Sequence, residues 1–187
     1  MHLIFWHRLL LMSNSDSPMQ PELRFHNRFA KLGAPFSTSL HPSPIKSPYL
    51  IAASTSMLAK FGIDAAQTQA PDFVDIFSGN CVHPTSTPLA AVYSGHQFGI
   101  WAGQLGDGRA ILLGEFNAVD EASQVSNPNT NLHEIQLKGA GMTPYSRMGD
   151  GRAVLRSSVR EFLCSEAMAG LGIPTSRALC IVGSDQY

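Results

Sequence analysis

The residues of this chain that are best suited to chemistry are glycines, arginines and one lysine in its second half. Two near-identical turns, at residues 106–110 and 149–153, share the sequence Gly-Asp-Gly-Arg-Ala. Between the two turns, an apolar segment ends in Lys138. Glycine lets a backbone approach an anion and direct its N–H groups at it, while arginine and lysine supply the opposite charge. The pattern therefore indicates a site for a polyphosphate, such as that of a nucleotide.

Each of these signals also has an ordinary structural explanation. A lone Gly-Asp-Gly is commonly a tight hairpin turn, and a lysine at the end of a strand commonly extends into water. Asp150 lies just before a predicted helix and could cap it. Four arginines fall within fourteen residues: Arg147, Arg152, Arg156 and Arg160. A solvated basic surface explains such a cluster as well as phosphate binding does. The prediction of a polyphosphate site therefore depends on the turns, the lysine and the arginines taken together.

Strand patterns place the first turn and Lys138 side by side. Residues 110–116 form a continuous apolar run of strand length, directly after the first turn. Residues 132–138 form a second run, and the polar segment 117–131 connects the two. Two such runs flanking a polar loop predict an antiparallel strand pair.

The strongest helix signal follows the second turn and covers residues 153–171. Gly172 and Pro174 supply its stop signals. Its apolar residues share one predicted face: Leu155, Val159, Phe162, Leu163 and Gly170. Glu161 lies on the flank of that face and Glu166 near its middle, so Glu166 must be paired or lie at the edge of a cleft. Cys164 is predicted to be a core residue.

Weaker patterns outline the rest of the chain. They predict short helices over residues 48–61 and 70–77 and a strand over 178–183. Residues 1–21 are interpreted as an ill-ordered extension, because their apolar run is interrupted by His7 and Arg8 and is too short to span a bilayer.

Composition and charge exclude several classes of protein. With 187 residues, of which 44% are apolar, the chain can form one domain with a core. Its 13 basic and 14 acidic residues leave a net charge of −1, which provides no overall basic field for nucleic acid. The 3 cysteines include no Cys-x-x-Cys pair. This pattern disfavours a disulfide framework or a zinc site and fits the reducing cytoplasm.

Four motifs together resemble one known family. They are the segment YSGHQFG at residues 93–99, the turn at 103–109, the strand end at 137–141 and the run TPYSRMGDGRAVLRS at 143–157. These residues resemble the selenoprotein O family, called YdiU in bacteria. The resemblance is close over residues 84–185 and looser over 22–83.

The resemblance implies an α+β fold, namely the N-lobe of a protein-kinase-like fold with an antiparallel sheet and one key helix, and without a C-lobe. Protein kinases use the same order of strand lysine, loop and helix glutamate to clamp nucleotide phosphates. Residues 22–89 would be a family-specific segment of short helices and loops. Residues 90–187 would be the nucleotide-binding lobe.

The resemblance also implies roles for particular residues. Lys138 would bind phosphates, and Glu161 would be its ion-pair partner. The other residues implied to contact ATP are Gly106, Gly108, Arg109, Asp150 and Gly151. The ligands of the accompanying Mg²⁺ or Mn²⁺ and the catalytic base are expected beyond Tyr187, so no catalytic or metal-ligating residue is expected within the chain.

By the same resemblance, the chain is the ATP-binding N-terminal part of an enzyme that transfers AMP from ATP to Ser, Thr or Tyr hydroxyls of proteins. ATP and protein substrates are the implied partners, with no nucleic acid and no membrane. Members of the family are usually well over twice this length, so the chain alone, whether a fragment or a truncated gene product, is expected to be inactive. The alternatives are a non-catalytic nucleotide-binding or protein-interaction module and, on the arginines alone, a binder of phosphate-sugars or RNA.

Overall fold

The computed structural model describes residues 23–119 and 131–185. The predicted extension at residues 1–21 and most of the predicted loop at 117–131 lie outside the described residues. Within the described ranges, no helix is long and apolar enough to cross a membrane.

The described residues form an α+β arrangement with antiparallel sheets, as predicted. The strands are β1 (Ser37–Ser39), β2 (Tyr49–Ala53), β3 (Leu89–Gln97), β4 (Ile100–Gly106), β5 (Ala110–Asn117), β6 (Leu132–Lys138) and β7 (Cys180–Gly183). The α-helices are α1 (Thr55–Lys60), α2 (Pro71–Ser78) and α3 (Leu155–Gly170). Two short 3-10 helices cover Phe29–Leu32 and Ala65–Gln69.

The main sheet places Lys138 beside the first glycine turn. Its strand order is β1-β3-β5-β6, with β4 paired to β3 alone. β5 and β6 are antiparallel, with Ala110 opposite Lys138 and Asn117 opposite Leu132. The predicted strand pair is therefore confirmed. Because the first turn leads directly into Ala110, this register fixes the turn next to the lysine.

A hairpin that the sequence analysis did not predict precedes this pair. β3 and β4 are joined at Phe98 and Gly99, which both have positive φ angles, 54° and 79°. The hairpin exposes large apolar side chains, because Phe98 is 95% and Ile100 72% solvent-accessible.

The second sheet corrects the helix predicted over residues 48–61. β2 occupies the first part of that range and pairs with β7. The helix begins only at Thr55, after Ser54, whose side chain accepts a hydrogen bond from the Met57 N–H as an N-cap. The prediction was wrong because β7, far away in the sequence, supplies the partner that makes β2 a strand. The helix predicted over 70–77 is confirmed as α2.

The hydrophobic core lies between the β5–β6 pair and the helices α1 and α2. Its aromatic centre is Phe25, Phe61 and Phe116, with the ring centroids of Phe25 and Phe116 4.3 Å apart. Ile135 and Leu137 of β6 are buried in this core. Since side chains alternate along a strand, Lys138 projects from the opposite face, away from the core.

Helix α3 forms where it was predicted but is not packed as predicted. None of its residues is buried, and Leu155 and Leu163 are 51% and 61% exposed. Cys164 is also exposed, so its prediction as a core residue was wrong. A cavity of about 720 Å³ lies along α3, β6 and residues 175–182. The helix therefore borders an open space instead of closing a core.

Candidate functional site

An ion pair joins the end of β6 to α3. Lys138 Nζ lies 2.5 Å from Glu161 Oε2, and both side chains are 48% exposed. The hydrogen bond from Lys138 lowers the pKa of Glu161, against a smaller opposing effect of burial, and the charges of Lys138, Arg109 and Arg160 lower it further. Glu161 consequently stays ionised at pH values at which a glutamate is ordinarily protonated. Both members of the pair border the cavity.

Several cations act on the carboxylate of this pair. Lys138, Arg109 and Arg160 all act electrostatically on the one carboxylate of Glu161. Arg109 and Arg160 are exposed, so their guanidinium groups are accessible to a solute. A group of accessible cations of this kind suits an anion with several charges.

The first turn is anchored by its aspartate. The Asp107 N–H donates to the Ala91 carbonyl at 3.0 Å, and the Asp107 carboxylate accepts from the Ala91 N–H and from Gln136 Nε2, each at 3.2 Å. The turn is thereby fixed to both β3 and β6. Burial raises the pKa of Asp107, and the hydrogen bond from Ala91 partly opposes that rise. This aspartate, which the sequence analysis did not single out, positions the turn.

The glycines of the first turn are required by a close approach of the chain. A Cβ atom on Gly106 would lie 2.4 Å from the ring of Tyr145, and one on Gly108 would lie 2.9 Å from the Tyr145 carbonyl oxygen. The N–H groups of Gly108 and Arg109 make no hydrogen bond within the described part of the chain. Two adjacent N–H groups of this kind are a feature of anion-binding loops.

The loop that follows β6 is bound to the first turn. Thr143 Oγ1 donates to the Asp107 carbonyl, and Ser146 Oγ donates to the Gly108 carbonyl. The Tyr145 hydroxyl is hydrogen-bonded to Thr38 Oγ1 at 2.6 Å. Sequence reasoning missed these contacts because the partners are 36 to 107 residues apart and no local pattern links them.

The second turn lies against the end of β6. The Gly141 N–H donates to the Gly151 carbonyl at 3.1 Å, and Ala140 forms an isolated β-bridge with Arg152. Gly151 is buried, whereas Asp150 is exposed. Both turns therefore meet at the Lys138 end of β6.

The hydrogen bonds of the second turn show whether Asp150 caps α3 and what the Arg152 side chain contacts. The Asp150 carboxylate accepts from the Arg152 N–H at 2.9 Å, and the N-cap of α3 is Val154. Asp150 therefore orders its own turn and does not cap the helix. The Arg152 guanidinium donates to the carbonyls of Ser43 and Pro44 at 3.0 and 3.2 Å, so this arginine holds a neighbouring segment.

The structure thus separates the predicted residues into two groups. Lys138, Glu161 and Arg109 come together around one exposed charge cluster. The others lie in the two turns beside it: Gly106, Gly108, Asp150 and Gly151. Of all these residues, only Lys138 and Glu161 border the cavity. Contact of any of these residues with a nucleotide remains a prediction.

The raised pKa of Asp107 leads to a pH-dependent prediction. Because folding raises the pKa of Asp107, its carboxyl group keeps its proton to a higher pH in the folded state than in the unfolded state. The protonated carboxyl group therefore stabilises the folded state at low pH, and this stabilisation is lost as the pH rises through the folded-state pKa. Asp107→Asn should therefore lower the free energy of unfolding more near pH 4 than near pH 7. Urea unfolding of both proteins at each pH measures this difference.

The matched control for that prediction is Asp72→Asn, an exposed aspartate on α2. The change measured for Asp72→Asn is subtracted from that of Asp107→Asn at each pH. If the remaining loss of stability is larger near pH 7 than near pH 4, the pKa of Asp107 is not raised in the folded state.

Comparison with known proteins gives consistent matches. The sequence model of a family described as protein adenylyltransferase SelO matches residues 20–187. The chain is 60% identical over 160 residues to a protein nucleotidyltransferase YdiU of Herminiimonas arsenicoxydans, covering 86% of this chain and 31% of that protein. It is 58% identical over 163 residues to the protein of the same name from Dechloromonas aromatica (strain RCB), covering 87% and 30%. The chain spans about 30% of the length of these curated relatives.

Proposed function

The chain belongs to the SelO family of protein adenylyltransferases, and from this membership we propose that the cluster around Lys138 holds the phosphates of ATP. The observation that carries the proposal is the Lys138–Glu161 pair beside two N–H groups of the first turn, at Gly108 and Arg109, that lack partners in the described chain. Backbone N–H groups and a positioned ammonium group together match the charge and the hydrogen-bonding capacity of a phosphate chain.

Each predicted residue has a role in this proposal. Lys138 and Arg109 contact phosphate oxygens, and Glu161 keeps the lysine ammonium in place. Gly106 and Gly108 allow the first turn to lie against Tyr145.

The second turn has a supporting role. Asp150 and Gly151 shape the turn next to the end of β6, and ATP contacts this turn on its exposed side. The order of antiparallel strands, strand lysine and helix glutamate supports a protein-kinase-like N-lobe for residues 90–187.

The reaction of the whole protein is the transfer of AMP to a protein hydroxyl. The oxygen of a Ser, Thr or Tyr side chain attacks the α-phosphorus of ATP, and the bond from that phosphorus to the bridging oxygen breaks. Pyrophosphate leaves, and the hydroxyl proton passes to a base. The contribution of this chain is to hold and neutralise the phosphates during the transfer.

A divalent metal is implied by the family resemblance, as Mg²⁺ or Mn²⁺. Within residues 23–119 and 131–185, no group of three or more His, Cys, Asp or Glu side chains lies together.

Two measurements test the proposal. Titration with a fluorescent ATP analogue, competed by unlabelled ATP, measures binding by the chain. Incubation with a generic protein and either α-labelled or γ-labelled ATP measures transfer, because only AMP transfer carries the α-label into protein.

The outcomes discriminate between the candidate functions. Saturable ATP binding supports the proposal. Because the chain alone is expected to be inactive, binding without incorporation fits both the N-terminal part of an adenylyltransferase and a non-catalytic nucleotide-binding module, whereas incorporation of the α-label excludes the non-catalytic module. Incorporation of the γ-label alone indicates phosphate transfer and contradicts the proposal, as does the absence of saturable ATP binding.

A further inference from the structure

The position of α3 decides whether Glu161 meets Lys138, yet apolar packing holds this helix only weakly. None of its residues is buried, and the cavity of about 720 Å³ lies along its inner side. Val159 and Phe162 are its half-buried apolar side chains nearest to Glu161 in the sequence. A helix seated in this way needs other contacts to fix its rotation and its height above the sheet.

Those contacts are made by a second glutamate of the same helix. Glu166 accepts a bidentate pair of hydrogen bonds from Arg177, with Nε to Oε1 at 2.7 Å and Nη2 to Oε2 at 2.8 Å. Its Oε2 also accepts from Ser54 Oγ at 2.8 Å and lies 3.4 Å from Ser56 Oγ. We name this group of four residues the Glu166 clamp. Of the two predicted alternatives for Glu166, a pair or a position at the edge of a cleft, the structure shows the pair.

The clamp is built on rigid parts of the fold. Ser54 is only 5% exposed, its hydroxyl caps α1, and its N–H donates to the Leu179 carbonyl at 2.8 Å. Arg177 also donates to Ser56 Oγ at 2.8 Å. The clamp therefore fixes α3 to the first turn of α1 and to the segment leading into β7.

Geometry connects the clamp to the ion pair. Glu161 and Glu166 are five positions apart on one helix, which corresponds to about 7.5 Å along its axis. Two anchored points at that separation define how far the helix is rotated and raised. We infer that Glu166 and Arg177 are positioning residues, which hold α3 where Glu161 can pair with Lys138.

This inference rests on the proposed function only in its last step, that the positioned Lys138 binds phosphate. Its first step is a statement about the ion pair and can be measured without any nucleotide. An amine that donates to a carboxylate reacts more slowly with an acylating reagent than a free amine does.

The test is the acetylation rate of Lys138, measured by mass spectrometry on the whole chain with N-acetoxysuccinimide. Lys31, an exposed lysine of the first 3-10 helix, is the internal reference. Glu166→Gln should raise the relative rate at Lys138 about twofold to fivefold, the range set by the strength of an exposed ion pair. Glu161→Gln removes the partner directly and gives the upper limit.

Glu134→Gln is the matched control, since it removes an exposed carboxylate that also borders the cavity, on the strand of Lys138. Its Lys138 rate should equal that of the unmodified chain. A Lys138 rate in Glu166→Gln that equals the control overturns the inference. If circular dichroism shows that Glu166→Gln has lost helix or strand content, the chain has opened generally, and Arg177→Gln is then the deciding variant under the same criterion.

A second readout separates positioning from general stability. If the chain binds ATP, Glu166→Gln as a single substitution should weaken that binding. Added to Lys138→Ala, the same substitution should weaken the binding no further. Equal effects in both backgrounds would show that Glu166 acts independently of the lysine and overturn the inference. Failure of ATP to bind at all, with the acetylation result as expected, would remove the proposed function and leave the clamp in place.

Discussion

Replacing Lys138 by alanine is expected to weaken ATP binding by about tenfold to a hundredfold, the range for losing a hydrogen bond between charged groups. The substitution removes the ammonium group and also frees the Glu161 carboxylate, which then faces the bound phosphates without its partner. Both effects act in the same direction. The dissociation constant from isothermal titration calorimetry or from competition with a fluorescent analogue measures the change.

Two further variants make that result specific. Lys31→Ala removes the same charge from an exposed, distant lysine and should leave the dissociation constant unchanged. Lys138→Arg keeps the charge and should retain more affinity than Lys138→Ala. An unchanged ATP affinity in Lys138→Ala would exclude the lysine from the site, whatever the family relationship.

Replacing Gly151 by alanine is expected to lower the free energy of unfolding by about 3 kcal/mol or more. Gly151 has a φ angle of 71°, in the left-handed region that side chains disfavour. An added Cβ atom would lie 2.1 Å from the carbonyl carbon and oxygen of Gly141 and 2.3 Å from the backbone nitrogen of Met142. Because all three atoms belong to the backbone, the strand end itself must shift. Urea or guanidinium unfolding measures the loss.

The same turn contains its own control. Gly149 has no positive φ angle, and a Cβ atom there would meet only the Ser146 carbonyl oxygen, at 3.2 Å. Gly149→Ala should change the free energy of unfolding by less than about 1 kcal/mol. A Gly151→Ala variant that keeps full stability but loses ATP affinity would reverse the interpretation, since it would make Gly151 a ligand contact and not a packing requirement.

The part of the site that sequence reasoning could predict is the part built from local patterns. Two apolar runs around a polar loop specify β5 and β6, and the end of the second run specifies Lys138. A single long amphipathic segment specifies α3 and hence Glu161. Each of these features depends on periodicity within about ten to twenty residues, which is what a sequence displays directly.

The features that escaped prediction all depend on partners distant in the sequence. Residues 49–53 became a strand because β7 pairs with them. Tyr145 explains the glycine at position 106, although the two are far apart along the chain. Cys164 was assigned to the core on helical periodicity alone. Periodicity identifies an apolar face but not whether anything covers it.

The pairing of β2 with β7 has a consequence for synthesis of the protein on the ribosome. The strands are about 130 residues apart, and translation adds about 5–20 residues per second, so β2 emerges about 6–25 s before its partner. During that interval its free edge can pair with the wrong strand. The main sheet can assemble earlier, whereas the Glu166 clamp requires Arg177, which is made only just before β7. The contacts that place Glu161 beside Lys138 therefore cannot all form until the segment leading into β7 has been made.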